Sequence, residues 1–359
     1  MAGASAPPRI LVVKLSSLGD VVHTLPVVAD LLRLDAAARI DWVTEPAFAP
    51  IVRRVRGIAD VIECPLRRWR KAPFSAATRR EASAFARRLR RERYDAVLDL
   101  QGLTKSALVA RLARGRRFGL ANRTEGSSHE APARWLVDRA VDVTPRSHAV
   151  DRGRELVRKA LGTDDGAAPD FGLAAGAPAQ VPWTAAAARP TLAFIHGTTR
   201  ADKLWPEGHW IALGRRAVLA GFAVGLPVGN DEEAARAGRI AAGIGAGSTV
   251  WPRLPLGDFI DRLGAAAGAI GVDSGPSHIA VALDLPHVQI YNLPTAWRTG
   301  PQTRWGASRQ VALVGDPVPT VDAVWAAWRG LGVGAEGPAR PATPGAPRGP
   351  VADRSPTGP

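Results

Sequence analysis

The stretch V-V-K-L-S-S-L-G-D-V-V-H-T-L-P at residues 12–26 places a lysine and a lone carboxylate where an apolar strand runs into a helix. Asp20 either caps that helix, since Asp is a preferred N-cap, or projects into a cleft as a general base that takes a hydroxyl proton. Lys14 would then pair with an anionic substrate or orient Asp20, and Ser16 and Ser17 supply hydrogen-bond donors in the same loop. Taken alone, the stretch leaves both interpretations open.

A second polar cluster, H-G-T-T-R-A-D-K-L-W-P at residues 196–206, follows another apolar strand. Thr198, Thr199 and Lys203 bring two hydroxyls and an ammonium to one strand end, a combination typical of phosphate binding. The alternative is a polar turn with Pro206 at the first position of the next helix, which needs no ligand.

A third cluster, G-V-D-S-G-P-S-H at residues 271–278, places Asp273 at a strand end just before a helix. The free N–H groups and the dipole of that helix favour an anion, and Gly275 allows the close backbone approach that a diphosphate needs. His278 either donates to a phosphate oxygen or packs within the helix. Because the second and third clusters would face one crevice, together they favour a diphosphate site.

Positive charge is concentrated in the first half of the chain. Residues 1–170 hold 31 Lys and Arg against 20 Asp and Glu, a surplus of 11 out of the net +14. The stretch R-R-W-R-K at 67–71 is either a solvated loop or a cluster for carboxylates and phosphates. The arginine-rich helix expected at 78–93 could lie near an anionic membrane surface. Nucleic acid is not an expected partner, because the few aromatics form no stacking platform and no recognition helix is found.

Composition indicates a cytoplasmic globular protein, and the motifs give no sign of a metal site. The 359 residues suggest two domains; a single cysteine, Cys64, fits a reducing compartment, and residues 1–8 lack the features of a signal peptide. The acidic run at 231–233 is interpreted as the first turn of a helix, which the dipole stabilises. With neither D-x-D nor H-E-x-x-H in the chain, no metal site is expected.

Val-, Ile- and Leu-rich runs alternate with helical periodicity, which predicts an α/β fold with parallel sheets. An Ala/Gly/Pro-rich stretch near 164–182 separates two such series and indicates a linker. The predicted strands are 9–14, 39–44, 60–63, 95–100 and 116–120, then 191–196, 222–227, 249–251, 268–272 and 287–291. Two sheets in sequence make a cleft at their strand ends, where ligands bind.

Five motifs, in this order, resemble the lipopolysaccharide heptosyltransferase I family within glycosyltransferase family 9. They are K-L-S-S-L-G-D-V-V-H-T-L-P (14–26), R-R-W-R-K-A-P-F (67–74), Y-D-A-V-L-D-L-Q-G-L-T-K-S-A-L (94–108), H-G-T-T-R-A-D-K-L-W-P-E-G-H-W (196–210) and D-S-G-P-S-H (273–278). The resemblance covers roughly residues 9–331. It implies an inverting glycosyltransferase with the GT-B fold, two Rossmann-like parallel-sheet domains facing a cleft.

The resemblance also implies the reaction. L-glycero-D-manno-heptose would pass from ADP-heptose to a Kdo residue of Kdo2-lipid A, in lipopolysaccharide inner-core biosynthesis at the cytoplasmic face of the inner membrane. No cofactor is required beyond this donor substrate. The nearest alternative is a heptosyltransferase II-type enzyme that adds a later core heptose, against which the R-R-W-R-K stretch argues. A basic nucleic-acid-binding protein is a distant alternative.

The same resemblance assigns residues. Asp20 becomes the catalytic base. The expected donor-binding residues are Thr198, Thr199, Lys203, Glu233, Leu254, Asp273, Ser274, Gly275 and His278. The expected acceptor-binding residues are Lys14, Ser16, Ser17, Arg67, Arg68, Arg70, Lys71, Gln101 and Lys105. The expected segments are a disordered N-terminus (1–8), an acceptor domain (9–165), a linker (166–190), an ADP-heptose domain (191–334) and a disordered tail (335–359).

Three positions depart from the family pattern. Ser274 replaces a more usual threonine and keeps the hydroxyl. Val228 stands where an aromatic is often found. The segment N-L-P-T-A-W-R-T-G-P at 292–301 replaces an expected glycine-rich loop, so its contacts stay open at this point.

Overall fold

The computed structural model describes residues 6–163, 166–176, 189–302 and 309–334. The segments expected to be disordered, 1–8 and 335–359, lie outside these residues except for 6–8, as does much of the expected linker. The domain boundaries placed at 165 and 190 stay predictions.

The first half of the chain forms a six-stranded parallel sheet with the strand order β3-β2-β1-β4-β5-β6. Its strands are β1 (Arg9–Val13), β2 (Arg39–Thr44), β3 (Ile58–Glu63), β4 (Arg93–Asp99), β5 (Arg114–Leu120) and β6 (Arg139–Val141). Ile10 to Val13 in the central strand are buried, as expected for a parallel strand covered on both faces.

The α-helices of the described part of this half are α1 (Leu18–Thr24), α2 (Pro26–Leu34), α3 (Ala49–Val52), α4 (Leu66–Trp69), α5 (Ala76–Arg91), α6 (Thr104–Leu112) and α7 (Ala149–Leu161). Helices α1, α2 and α7 share one core cluster, and α5 and α6 share another on the opposite face. The helical periodicity after the first strand predicts one helix from 21 to 34, but Pro26 starts a second one because proline lacks the N–H that a continuous helix needs.

The second half repeats the architecture. Its strands are β7 (Thr191–Ile195), β8 (Ala223–Leu226), β9 (Ser248–Val250), β10 (Gly268–Val272), β11 (His287–Tyr291) and β12 (Gln310–Val314). Their order β9-β8-β7-β10-β11-β12 matches that of the first sheet. The helices are α8 (Glu207–Leu219), α9 (Asp231–Ile244), α10 (Leu256–Gly264), α11 (Gly275–Ala282), α12 (Ala296–Thr299) and α13 (Val321–Gly330).

Strands β6 and β12 were missed by the sequence patterns, which gave five strands to each half. Both lie at a sheet edge. Strand β6 has only three residues, and β12 is largely half-buried, so neither shows the continuous apolar run of a central strand.

The two halves meet where the first turns of α1 and α11 face each other. A Cβ atom on Gly19 would lie 2.9 Å from Cδ2 of His278, and one on Gly275 would lie 2.9 Å from Cδ2 of Leu18. Any other residue at either glycine would force the facing side chain or the turn that carries it to shift. Farther from the cleft, Arg54 of the first half pairs with Asp261 of the second at 2.6 Å.

A buried ion pair fixes α7 on α2. Nε of Arg154 donates to Oδ2 of Asp30 at 2.7 Å and Nη2 donates to Oδ1 at 2.9 Å. The two side chains are only 4% and 2% exposed. Since a buried charge that loses its partner is costly, this pair is critical for the position of α7.

We predict that Asp30→Ala lowers the free energy of unfolding by about 3–5 kcal/mol, because it removes the buried carboxylate that accepts two hydrogen bonds from the Arg154 guanidinium. Urea denaturation followed by tryptophan fluorescence measures the change. Asp60→Ala is the matched control: it removes an exposed partner of Arg88 and should cost below about 1 kcal/mol. Equal losses in the two variants would contradict this account.

Candidate active site

A cavity of about 680 Å³ lies between the two sheets, at the carboxyl ends of their strands. Parallel α/β sheets bind ligands at this edge. All nine expected donor-binding residues line it: Thr198, Thr199, Lys203, Glu233, Leu254, Asp273, Ser274, Gly275 and His278. From the first half it is lined by Asp20, Ser17 and Arg67, among others. The structure thus brings the expected base and donor residues together; their individual roles stay predictions.

Asp20 is not the N-cap of its helix, contrary to one of the two interpretations from the sequence. Ser17 is the N-cap, and Asp20 is the third helical residue. The backbone N–H and the hydroxyl of Ser17 donate to Oδ2 of Asp20 at 3.2 and 2.7 Å, a capping-box arrangement. These bonds fix the carboxylate at the cleft wall, where the Asp20 side chain is 43% exposed.

Positive charge keeps Asp20 ionised. Burial alone would raise the pKa of its carboxyl, but the charges of Lys14 and Arg152 and the bonds from Ser17 more than offset that effect and lower it. Nη2 of Arg152 lies 3.8 Å from Oδ1. A carboxylate that is ionised at neutral pH can accept a proton.

Lys14 lies beneath Asp20 instead of lining the cleft. Its side chain is buried, and Nζ donates to the carbonyl oxygen of Leu100 at 2.9 Å. Burial lowers the pKa of Lys14 to about 8, an effect that the charge of Asp20 partly opposes. This placement favours the orienting role over direct contact with a substrate.

Gln101 and Ser16 also lie outside the cleft lining. Oε1 of Gln101 accepts from the backbone N–H of Leu15 at 2.7 Å, which ties the loop before α1 to the end of β4. Next to it, Asp99 accepts from the backbone N–H of Gln101 at 3.0 Å, and burial raises the pKa of Asp99 to about 6. These residues support the loop that carries Asp20.

On the opposite wall, Asp273 contacts several of the residues expected to bind the donor. Nζ of Lys203 lies 2.5 Å from Oδ2 of Asp273, and Nε2 of His278 lies 3.4 Å from Oδ1. Thr299 donates to Oδ1 at 3.3 Å, and Thr198 donates to the Asp273 carbonyl at 3.2 Å. Burial alone would raise the pKa of Asp273, but His278 and Lys203 hold it well below its usual range.

Helix α11 directs its first turn at the cavity. Ser274 is its N-cap, and its side chain makes no capping bond to the helix. The first N–H groups of a helix lack intrahelical acceptors and carry partial positive charge. With Lys203 and the threonine hydroxyls nearby, this end can bind an anion such as a diphosphate.

An apolar wall completes the second half of the cavity. Val228, Trp251, Leu254 and Phe259 line it. At its edge, Glu233 accepts from the backbone N–H of Gly229 at 2.7 Å. The acidic run 231–233 is the first turn of α9, as expected. Across 6–163, 166–176, 189–302 and 309–334, no group of three or more His, Cys, Asp or Glu could hold a metal ion.

The basic stretch 67–71 contributes one residue to the cavity. Arg67 lines it, with its guanidinium 5.7 Å from the centre of the Phe48 ring. Arg68 instead pairs with Glu81 at 2.5 Å. Arg70 and Lys71 are exposed, and Lys105 is half-buried near the start of α6; none of the three is part of the cavity lining.

Among the His, Arg and Thr residues that line the cleft, four were not identified from the sequence: His23, Arg152, Arg298 and Thr299. His23 packs against His278 across the interface, with ring centres 4.2 Å apart. Arg152 was one of many helix arginines and carried no local signal. Arg298 and Thr299 lie in the 292–301 segment. The departure of this segment from the family pattern was the one sequence feature that could have drawn attention to them.

Comparisons with known proteins agree with this geometry. The glycosyltransferase family 9 (heptosyltransferase) model matches residues 82–315. Lipopolysaccharide heptosyltransferase 1 of Escherichia coli (strain K12) is 39% identical over 285 residues, which cover 79% of this chain and 87% of that protein. Lipopolysaccharide heptosyltransferase 2 of Salmonella typhimurium is 25% identical over 302 residues, covering 79% and 82%.

Solved structures extend the match to the fold. E. coli heptosyltransferase WaaC with ADP superposes with a TM-score of 0.78 at 33% identity, over 90% of this chain and 99% of that one. The same enzyme with ADP-2-deoxy-2-fluoro heptose gives a TM-score of 0.72 at 34% identity, over 89% and 98%. The expected GT-B arrangement of two parallel sheets is confirmed. The chain belongs to glycosyltransferase family 9, the heptosyltransferases, and is more similar to lipopolysaccharide heptosyltransferase 1 than to lipopolysaccharide heptosyltransferase 2.

Proposed function

We propose that this heptosyltransferase transfers heptose from ADP-heptose to a Kdo residue of Kdo2-lipid A, with Asp20 as the general base. One observation carries the proposal: an ionised carboxylate on one wall of a single cavity lies across from an anion site on the other wall. Such a pair can activate an acceptor hydroxyl and stabilise a leaving group.

The donor would lie along the second half of the cavity. Its diphosphate would meet the first turn of α11, Lys203 and the hydroxyls of Thr198 and Thr199, and its adenine would lie against the apolar wall. The WaaC structures with ADP and with an ADP-heptose analogue support this assignment. In this proposal the charge of the leaving ADP is met by Lys203 and the helix end instead of a metal ion.

The transfer is a single displacement. Asp20 takes the proton of the acceptor hydroxyl as its oxygen bonds to the anomeric carbon, and the bond from that carbon to the ADP oxygen breaks on the opposite face. The electron pair leaves with ADP, and the configuration at the anomeric carbon inverts. Because Asp20 and Lys203 belong to different halves, the reacting atoms meet only when the two halves are together.

We predict that the protein, incubated with ADP-heptose and Kdo2-lipid A, adds the mass of one heptose to the lipid in a mass spectrum. Asp20→Asn should slow this transfer by about two to four orders of magnitude, because the amide cannot accept the proton. Binding of ADP-heptose, measured by calorimetry, should stay within about twofold of the wild-type value, since Asp20 faces the acceptor.

Asp60→Asn is the matched control, because it neutralises an exposed carboxylate of the same half. It should transfer heptose at the wild-type rate. Near-normal turnover by Asp20→Asn would overturn the assignment of the base. A wild-type protein that modifies only a lipid already carrying heptose would favour the heptosyltransferase II-type alternative.

We predict that Lys14→Met moves the acidic limb of the pH–rate profile to higher pH. Lys14 lowers the pKa of Asp20, so its removal raises that pKa and a larger fraction of Asp20 is protonated at a given acidic pH. Initial rates of transfer between pH 4 and pH 9 measure the shift.

Lys14→Arg keeps the positive charge and serves as the control, so its acidic limb should lie below that of Lys14→Met. Circular dichroism checks that both variants fold. An unchanged acidic limb in Lys14→Met would show that Lys14 does not support the ionisation of Asp20.

We further propose that the protein acts as a peripheral protein on the cytoplasmic face of the inner membrane, with α4 and α5 toward anionic lipid. Phe74, between these helices, is 86% exposed and lies beside the exposed Arg70 and Lys71. An exposed aromatic among basic residues suits a lipid interface. No helix in the described ranges is long and apolar enough to cross a bilayer.

We predict that Phe74→Ser weakens binding to vesicles containing anionic phosphatidylglycerol by about 3- to 30-fold, because the ring would no longer enter the interface. Vesicle co-sedimentation measures this binding. Leu219→Ser is the control: Leu219 is 88% exposed but ends α8 in the other half, so its loss should leave vesicle binding unchanged. Equal losses in both variants would contradict the proposed orientation.

A further inference from the structure

Two arginines from different halves of the chain line the cleft together with Asp20. Arg152 belongs to α7, its side chain is 12% exposed, and Nη2 lies 3.8 Å from Oδ1 of Asp20. Arg298 belongs to α12 in the second half and lines the same cavity. Neither residue is among those expected from the sequence to bind donor or acceptor.

Both guanidinium groups are held in place by neutral partners. Nη1 of Arg152 donates to Oγ1 of Thr124 at 3.2 Å, and Nη1 of Arg298 donates to the carbonyl oxygen of Gly126 at 3.0 Å. Gly126 has φ +67°, and a Cβ there would overlap the Arg298 guanidinium. The loop around Gly126 is therefore shaped to seat this side chain.

The two arginines repel each other. Burial lowers the pKa of Arg152, the charge of Asp20 partly opposes that effect, and the positive charge of Arg298 adds a smaller lowering effect. Throughout the described part of the chain, no Asp or Glu forms an ion pair with Arg298. Held at the wall of one cavity, two like charges, of which only Arg152 has a carboxylate partner, favour an additional anion.

This excess charge lies at the acceptor side of the cavity. The ammonium of Lys203, at the donor side, is already paired with Asp273. Arg152, in contrast, is adjacent to Asp20, the residue that faces the acceptor hydroxyl in the proposed function. An anion bound by the two arginines would thus be next to the reacting hydroxyl.

We propose that Arg152 and Arg298 form a two-arginine clamp that binds the carboxylate of the acceptor sugar and presents its hydroxyl to Asp20. The clamp rests on the proposed function, because a Kdo residue is a sugar acid with a carboxylate close to its hydroxyls. Guanidinium groups suit this partner, since each offers two parallel N–H donors. The clamp is complete only when the two halves are together, because each contributes one arginine.

The test replaces Arg298, which reaches the site from the donor half, with glutamine. Arg298→Gln should raise the KM for Kdo2-lipid A by about 10- to 100-fold, the loss expected for one charge-assisted hydrogen bond. The Kd of ADP-heptose should stay within about twofold of the wild-type value. If ADP-heptose binding weakens instead, the anion at this site is the donor diphosphate, and the proposal is overturned.

A modified acceptor distinguishes two roles of Arg298: binding the acceptor carboxylate and holding the loop around Gly126. Kdo2-lipid A with its Kdo carboxyls converted to methyl esters should be a poor substrate for the wild-type protein. It should lose little further activity with Arg298→Gln, because the variant no longer uses the carboxylate. Equal penalties for the ester in both proteins would assign Arg298 a purely structural role and overturn the clamp.

Arg146→Gln is the matched control. Arg146 lies over the ring of Trp297, the residue before Arg298 in sequence, but Arg146 does not line the cleft. Its loss removes the same charge from the same neighbourhood and should leave the KM for Kdo2-lipid A unchanged. If the wild-type protein transfers heptose but Arg298→Gln and Arg146→Gln have the same KM for Kdo2-lipid A, the clamp alone is overturned. A wild-type protein without transfer overturns the proposed function as well.

Discussion

The contact between the first turns of α1 and α11 determines the geometry on which the rest of the site depends. Gly19 and Gly275 have no space for a Cβ atom, since one at either position would lie 2.9 Å from a side-chain carbon of the other half, closer than van der Waals contact. Asp20 follows Gly19 directly, and Gly275 opens the helix whose N–H groups face the cavity. One close approach therefore places the carboxylate and the anion site across from each other.

The two carboxylates of the cleft differ in the amount of positive charge around them. Asp273 is deeply buried and holds Lys203, so the anion site combines an oriented ammonium with little excess charge. Asp20 has the opposite surroundings, because Lys14 lies below it and Arg152 beside it. The carboxylate proposed to accept the proton thus stays ionised, and the same basic surroundings would also attract the proposed acidic acceptor.

Local signals predicted most of the fold and the donor wall. The strand ends carrying Thr198 and Asp273 were found because a polar cluster directly follows an apolar run. The pattern S-x-x-D from Ser17 to Asp20 is a capping-box signature and could have given the helix start correctly. No local pattern could have shown that Arg152 and Arg298 line the same cavity, because they are distant in sequence and only the packing of the two halves brings them together.

The apolar core is continuous between the two halves. Val52 and Leu25 of the first half belong to the same core cluster as Ile195, Trp251 and Ile260 of the second. Every movement that parts the halves must expose some of these side chains to water, at about 25 cal/mol per Å² of apolar surface. Exchange of spent nucleotide for fresh donor is therefore coupled to the hydration of an interior surface. A rotation that keeps the apolar contact intact while widening only the rim costs less free energy than a full separation.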